Sequence, residues 1–112
     1  MRIITEEITK GELAEIAGTR FGDVVKAVVD VERQVMAIDG DLHADEEALL
    51  IEQGSKQEDL WGVNLYPEQP GDDWIEFDSM INVRPSQGNR SRGVEDGTLR
   101  EKIRSVVVKL VK

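Results

Sequence analysis

The chain has 112 residues, of which 39% are hydrophobic and 33% charged, so we expect one domain, residues 1–112, with a single modest core. It contains no cysteine, which excludes disulfides, thiolate metal sites and cysteine nucleophiles. The formal net charge of −9 argues against a nucleic-acid binder that relies on overall charge. Residues 1–83 carry 6 basic and 20 acidic residues, whereas residues 84–112 carry 8 and 3, so positive charge is concentrated at the C-terminal end.

Two kinds of membrane-related segment are not recognisable in the sequence. No apolar stretch approaches the ~18 residues of a membrane span. The first residues become acidic before the apolar region of a signal peptide develops. We therefore expect a cytoplasmic protein with no membrane partner.

The first half of the chain predicts a helix and a hairpin. Thr9 and Glu12 have the spacing of a capping box, so a helix is expected to begin there and to end near Gly18. Residues 24–31 are rich in β-branched side chains and predict a strand. A second apolar run, residues 35–38, follows a short polar connection, so the two strands are expected to pair antiparallel.

The second half predicts a helix, two strands and a further helix. Residues 44–53 open with acids before an apolar stretch, which is typical of a short helix. Residues 60–66 and 74–84 alternate apolar with polar side chains and predict two antiparallel strands. Thr98 and Glu101 predict the capping box of the last helix. Its apolar stripe consists of Leu99, Ile103, Val106, Val107 and Leu110.

These elements indicate an α+β fold, an antiparallel sheet of about four strands with two to three helices covering one face. The alternation places polar side chains on the other face: Lys26, Asp30, Asn64, Tyr66, Glu76, Asp78, Asn82 and Arg84. Such a face suits a polar metabolite, and Glu76 or Asp78 is the candidate acid or base if a reaction occurs. The alternative interpretation is an ordinary solvated sheet face with cross-strand ion pairs.

The segment of residues 84–93 contains three arginines and no acid in an otherwise acidic chain. Arginine forks, hydroxyls and loop amides suit phosphate or carboxylate groups. The candidate anion-binding residues are Asn82, Arg84, Asn89, Arg90, Ser91 and Arg92. The segment matches neither a P-loop nor a dinucleotide-binding glycine pattern. The alternative is a loop whose arginines pair with the chain's own carboxylates.

Residues 39–47 are dense in oxygen donors and include the lone histidine, His43. The register of an EF-hand fails, because Ala44 or Glu46 stands where glycine is needed. The helix dipole explains an acidic helix start without a metal, so we predict no metal and no cofactor, with an adventitious divalent site as the alternative. A serine hydrolase is disfavoured, since no G-x-S-x-G elbow is present and a single histidine serves the whole chain.

Four segments of the chain, residues 21–30, 42–47, 60–64 and 82–93, resemble a small prokaryotic protein family of unknown function. The resemblance covers most of the chain. It implies a compact, cytosolic, single-domain protein, and it supplies no activity, substrate or catalytic residue.

Two hypotheses about function follow. In the first, the chain is a binding module or small enzyme for a phosphate- or carboxylate-bearing small molecule held by the arginine segment. In the second, it is a structural or interaction protein whose basic loop and last helix pair with acidic surfaces, including those of a second copy in a homo-oligomer. Nucleic-acid binding is disfavoured, because the charge of −14 over residues 1–83 repels a phosphate backbone. Whether the chain is an enzyme is left open.

Overall fold

The computed structural model describes all 112 residues, which form a five-stranded antiparallel sheet and three α-helices. The strand order across the sheet is β1-β3-β2-β4-β5. Along the chain the elements are β1 (Arg2–Ile4), α1 (Lys10–Arg20), β2 (Val25–Asp30), β3 (Val35–Ile38), α2 (His43–Glu52), β4 (Leu60–Leu65), β5 (Ile75–Glu76) and α3 (Gly97–Leu110). The predicted α+β class and the β2–β3 hairpin are confirmed, and β1 adds a strand at the edge.

The central strand β2 is buried on both faces of the sheet. Val25, Ala27 and Val29 enter the main core together with α1 and α3. Val28 enters a smaller core on the opposite face, where it packs with Leu50 of α2. Two helices thus cover one face, as expected, while α2 covers part of the face expected to be open. A strand buried on both sides reads as a continuous apolar run, which hides its second contact surface.

The ends of the helices partly follow the sequence expectations. At α1 the capping box is confirmed, because Thr9 Oγ1 accepts from the Glu12 amide at 3.0 Å and Glu12 Oε1 accepts from the Thr9 amide at 3.3 Å. At α3 the predicted box at Thr98 is wrong. Asp96 caps the helix and accepts from the Thr98 amide at 2.9 Å. The predicted apolar stripe of α3 is buried against the sheet.

The prediction of one strand over residues 74–84 is wrong beyond Glu76, where β5 ends. The chain then forms a 3-10 turn, Met80–Asn82, in which Asn82 is fully buried and Val83 is exposed, the reverse of the predicted alternation. The side-chain amide of Asn82 accepts from the Gly62 amide at 2.8 Å and donates to the Gly62 carbonyl at 3.0 Å. The side chain of Asn82 therefore satisfies the backbone N–H and C=O of one residue of β4, as a neighbouring strand would.

None of the helices combines the length and the apolar character that a membrane span requires.

Candidate functional site

A cleft of about 450 Å³ opens on the sheet face that α2 only partly covers. Its floor is formed by β2, β4 and β5, one wall by the first turn of α2, and the other wall by the 3-10 turn and the segment that follows it. The lining residues are Val24, Lys26, Leu42, His43, Ala44, Asn64, Tyr66, Glu76, Asp78, Ser79, Met80, Ile81 and Arg92.

The floor is a row of cross-strand neighbours. Lys26 pairs with Asn64, and Asn64 pairs with Glu76, so all three side chains share the cleft face. Asn64 Nδ2 donates to Glu76 Oε1 at 2.8 Å and to the Asp78 carbonyl at 3.1 Å. Burial and the neighbouring Glu76 raise the pKa of Tyr66, so its hydroxyl keeps the proton that it donates to Glu76. The Asn64 Oδ1 atom is buried and has no partner.

The wall supplied by α2 begins without a cap. The N-cap residue is Leu42, which has no side-chain acceptor. The amides of Asp45 and Glu46 donate to the Leu42 carbonyl, and those of His43 and Ala44 have no partner in the chain. This end of the helix also carries the partial positive charge of the helix dipole. The cleft therefore has one wall that favours a negatively charged group.

His43, the first residue of α2, is only 8% exposed. Its Nε2 lies 2.8 Å from the carbonyl oxygen of Val63. Because a carbonyl only accepts, the proton is on Nε2 and Nδ1 carries the lone pair. Burial lowers the pKa of His43, and the charges of Lys26 and Arg92 lower it further, against the opposing effects of the Val63 hydrogen bond and Asp78. The imidazole is therefore neutral at neutral pH.

Gly62 lets the two walls approach β4. A Cβ at this position would lie 2.5 Å from Ser79 Cβ, 2.6 Å from Ser79 Oγ and 3.3 Å from His43 Cδ2. No real side chain fits at such distances. The absence of a side chain at residue 62 thus brings Ser79 and His43 together over the middle of the strand.

Two cations line the cleft. Lys26 forms no ion pair, and its Nζ lies 5.3 Å from the centre of the Phe21 ring. Arg92 uses Nε to bind Asp78 Oδ1 at 2.7 Å. Its two outer nitrogens make no hydrogen bond in the chain, and the side chain is 58% exposed. Both cations therefore retain donors for a further partner.

The structure places Arg84, the first predicted anion ligand, inside the fold. Its Nε donates to the Ile81 carbonyl at 2.9 Å, Nη1 donates to the Gln57 carbonyl at 2.8 Å, and Nη2 donates to the Leu60 carbonyl. The guanidinium also lies 4.4 Å above the Trp61 ring. Backbone carbonyls thus occupy the fork that was expected to hold an anion.

Asn82 and Asn89 are buried and organise the backbone around them. Asn89 Nδ2 donates to the carbonyls of Asn82 at 2.7 Å and Gly93 at 2.8 Å, and its Oδ1 accepts from the Glu95 amide at 2.9 Å. Arg90 and Ser91 are exposed, and neither lines the cleft. Of the predicted site residues, the structure brings together Glu76, Asp78 and Arg92 and leaves the others outside the cleft.

Much of the positive charge of the C-terminal end is engaged within the chain. Arg100 Nη1 donates to the Val94 carbonyl at 2.6 Å, and Arg104 lies 3.7 Å from Glu101. Lys109 donates to Gln34 at 2.7 Å. The sequence alternative was that the arginines of residues 84–93 pair with the chain's own carboxylates. Arg92 makes such a pair with Asp78 at 2.7 Å and Arg84 lies 3.9 Å from Glu47, whereas Arg100 and Lys109 bond to a carbonyl and an amide.

The acidic segment around His43 has its own internal partners. Arg20 binds Asp39 at 2.8 Å and also pairs with Asp41. Glu46 is fully buried, and burial raises its pKa to about 9 although its Oε2 accepts from the Gly40 amide at 2.9 Å. No group of three or more histidine, aspartate and glutamate side chains is placed to hold a metal ion.

From the sequence, His43 entered only the alternative of a divalent-metal site and was not expected in the anion site. Two signals point to it. Gly62 stands on the polar side of a strand, which marks a close approach. Leu42 precedes a helix where a polar cap is usual, which leaves that end open.

The comparisons with known proteins give a family. The family described as Protein of unknown function (DUF5674) matches residues 2–110, nearly the whole chain. The chain belongs to this family. No curated protein and no solved structure matches it. The expected resemblance to a family of unknown function is therefore confirmed, and its prokaryotic distribution stays a prediction.

Proposed function

We propose that the chain binds a small molecule bearing a carboxylate or phosphate group in the cleft between α2 and the sheet. The observation that carries this proposal is the convergence of three electropositive groups on one cavity: Lys26, the outer nitrogens of Arg92, and the uncapped first turn of α2. Amides at a helix start and unpaired cations are the groups that proteins use to hold such anions.

The two carboxylates of the cleft are occupied by the chain's own donors. Glu76 accepts from Asn64 and Tyr66, and Asp78 accepts from Arg92. Their acceptor atoms are thus partly used, whereas the Lys26 ammonium has no carboxylate partner. An anion that enters the cleft therefore finds cationic hydrogen-bond donors available, while the carboxylates are engaged with the chain's own donors. If the bound molecule reacts, Glu76 and Asp78 remain the candidate acid and base.

This proposal changes the part played by the arginine segment. Only Arg92 supplies donors to the cleft, while Asn82 and Asn89 hold the backbone that carries it. Asn82 Nδ2 donates to the Arg92 carbonyl at 3.0 Å, so the buried amide fixes the start of this side chain. Ser91 and Arg90 lie outside the binding surface.

The mouth of the cleft is apolar. Leu42 is 55% exposed and Met80 is 67% exposed, and both line the cavity. Large apolar side chains left open beside polar groups are typical of ligand sites. We therefore expect the anion to be attached to a hydrocarbon portion that covers these two side chains.

The test is a thermal-shift and calorimetric titration with inorganic phosphate, propionate and propyl phosphate. A ligand that binds only the folded state raises the melting temperature with concentration. Lys26→Ala and Arg92→Ala are each expected to raise the dissociation constant about tenfold, which corresponds to the loss of one charged hydrogen bond. Arg90→Ala is the matched control, because it removes an exposed arginine of the same segment outside the cleft.

Two outcomes would contradict the proposal. One is the absence of any thermal or calorimetric response to the three compounds. The other is an equal loss of affinity in Arg90→Ala and Arg92→Ala, which would assign binding to the general charge of the segment.

A further inference from the structure

The cleft contains two hydrogen-bond acceptors that the chain does not satisfy. Nδ1 of His43 has no hydrogen-bond partner in the chain and stays open to solvent, although the residue as a whole is only 8% exposed. Oδ1 of Asn64 is buried and also has no partner. Both residues line the cavity that holds Lys26 and Arg92. Cationic donors and unsatisfied acceptors therefore occur side by side in one small space.

The hydrogen bonds around His43 and Asn64 fix which atom of each side chain is the acceptor. The hydrogen bond from Nε2 to the Val63 carbonyl holds the His43 ring with its lone pair on Nδ1. Asn64 Nδ2 is bonded to two acceptors, the Glu76 carboxylate and the Asp78 carbonyl, so the amide cannot turn over without losing both bonds. His43 Nδ1 and Asn64 Oδ1 can therefore only accept a hydrogen bond.

We infer that the molecule bound in the cleft carries a hydroxyl or amino group next to its anionic group, and that His43 Nδ1 accepts the hydrogen bond from that group. This inference rests on the proposed function and specifies its ligand class: hydroxy acids, amino acids or their phosphorylated counterparts. An anion without a neighbouring donor displaces water from these acceptors and leaves them unpaired, which lowers its affinity.

Water is the alternative partner for these atoms in the free protein. A ligand that displaces such water without replacing its hydrogen bonds loses affinity. The discrimination thus concerns the bound state, and it is measurable as a ratio between two matched ligands. Lysine and arginine contacts to the anion cancel in that ratio, because both ligands share the anionic group.

The experiment compares ligands that share the anionic group and differ in whether they also carry a hydrogen-bond donor. Lactate and alanine are each compared with propionate, and glycerol 3-phosphate is compared with propyl phosphate. The donor-bearing member of each pair is expected to bind about tenfold or more tightly. A preference shown by lactate alone identifies a hydroxyl as the donor, and one shown by alanine alone identifies an amine.

The variant His43→Gln isolates the role of Nδ1. The glutamine amide nitrogen reaches the position of Nε2 and keeps a donor for the Val63 carbonyl, while no acceptor remains at the position of Nδ1. We expect the ratio between lactate and propionate to fall close to one while propionate affinity is retained. A purely structural role of His43 would lower both affinities together and leave the ratio unchanged.

His43 is the single histidine of the chain, so its ring nitrogens are unambiguous in ¹⁵N NMR spectra. The Nδ1 resonance is expected to move upfield on addition of lactate, as for a nitrogen that accepts a hydrogen bond, and to stay in place with propionate. Equal affinities within each ligand pair, or an unmoved Nδ1 resonance at saturation, would overturn the inference and leave the proposed anion site intact. If none of the compounds binds, both fall.

Discussion

Two regions of this molecule place polar side chains against the sheet, and they differ in how completely the polar atoms are partnered. In the segment around Arg84 and Asn89, the buried polar side-chain atoms find acceptors or donors in the chain. In the region of α2 and the neighbouring strand, Glu46 Oε1 and Asn64 Oδ1 find none, and Glu47 Oε2 has only the ion pair with Arg84 Nη2 at 3.9 Å. The hydrogen bonds of the arginine segment are thus satisfied within the chain, whereas Asn64 leaves a buried acceptor open in the cleft and Glu46 leaves one beneath α2.

The difference distinguishes polar side chains that stabilise the fold from polar side chains that can bind a ligand. A saturated buried network stabilises one conformation and has no capacity left for a ligand. Unpartnered buried atoms cost stability, and proteins retain such costs mainly where function requires them. Arg84 and Arg92 are eight residues apart and chemically identical, yet only Arg92 keeps free donors.

The largest expected effect concerns Glu46, on the unsaturated side. Its pKa of about 9 in the folded chain lies far above the ordinary value of 4.5, chiefly because of burial. The folded state therefore holds a proton that the unfolded state releases above pH 4.5. Glu46 contributes its full stability below that pH and loses it as the pH rises toward 9.

Glu46→Gln keeps an acceptor for the Gly40 amide and has nothing to ionise. We expect the free energy of unfolding of the variant to exceed that of the parent by an amount that grows with pH, at up to about 1.4 kcal/mol per pH unit between pH 5 and 9. Urea unfolding at pH 5, 7 and 8.5 measures it. Glu52→Gln, on the exposed face of the same helix, is the control and should give a constant small difference. A constant difference for Glu46→Gln as well would show that Glu46 is ionised in the folded protein.

The second prediction tests the saturated side. Arg84→Ala removes three hydrogen bonds to carbonyls and the packing on Trp61, so the free energy of unfolding is expected to fall by about 2–4 kcal/mol. Arg84→Lys should recover little, because an ammonium cannot reproduce the planar fork. Arg90→Ala should change stability by less than about 0.5 kcal/mol. Equal stability of the Ala variants at residues 84 and 90 would refute the assignment of Arg84 to the fold.

The sequence pattern was sufficient for most of the fold. The capping box at Thr9, the β2–β3 hairpin and the stripe of α3 are local patterns, and the structure keeps them. The alternation of apolar and polar residues stops predicting burial after Glu76, because side chains alternate between two faces only while the chain is a strand of the sheet. Asn82 ends that regularity by bonding its side chain to the backbone of β4, a long-range contact that no local pattern contains.

The candidate site was only partly predictable for a related reason. The alternation of side chains along the strands predicted that Lys26, Asn64 and Glu76 lie on one face, and the strand register makes them direct cross-strand neighbours. Which arginine stays free depends on carbonyls contributed by residues 57 and 60, far away in the chain. The part played by His43 depends on how closely α2 approaches β4, and that distance follows from tertiary packing.

The smallest expected effect tests this close approach. Gly62→Ala places a methyl group 2.5 Å from Ser79 Cβ and near the His43 ring, so the two walls of the cleft must move apart. We expect a loss of about 1–3 kcal/mol in the free energy of unfolding, as for other overpacked sites. Gly18→Ala, with open space around its Cβ inside α1, is the matched control and should stabilise the chain by about 0.5–1 kcal/mol through helix propensity. Because His43 and Ser79 shift in Gly62→Ala, ligand affinity should fall as well, whereas Gly18→Ala should leave it unchanged. A Gly62→Ala protein with parental stability and affinity would show that the walls of the cleft yield freely, and that the position of His43 is not set by the missing side chain.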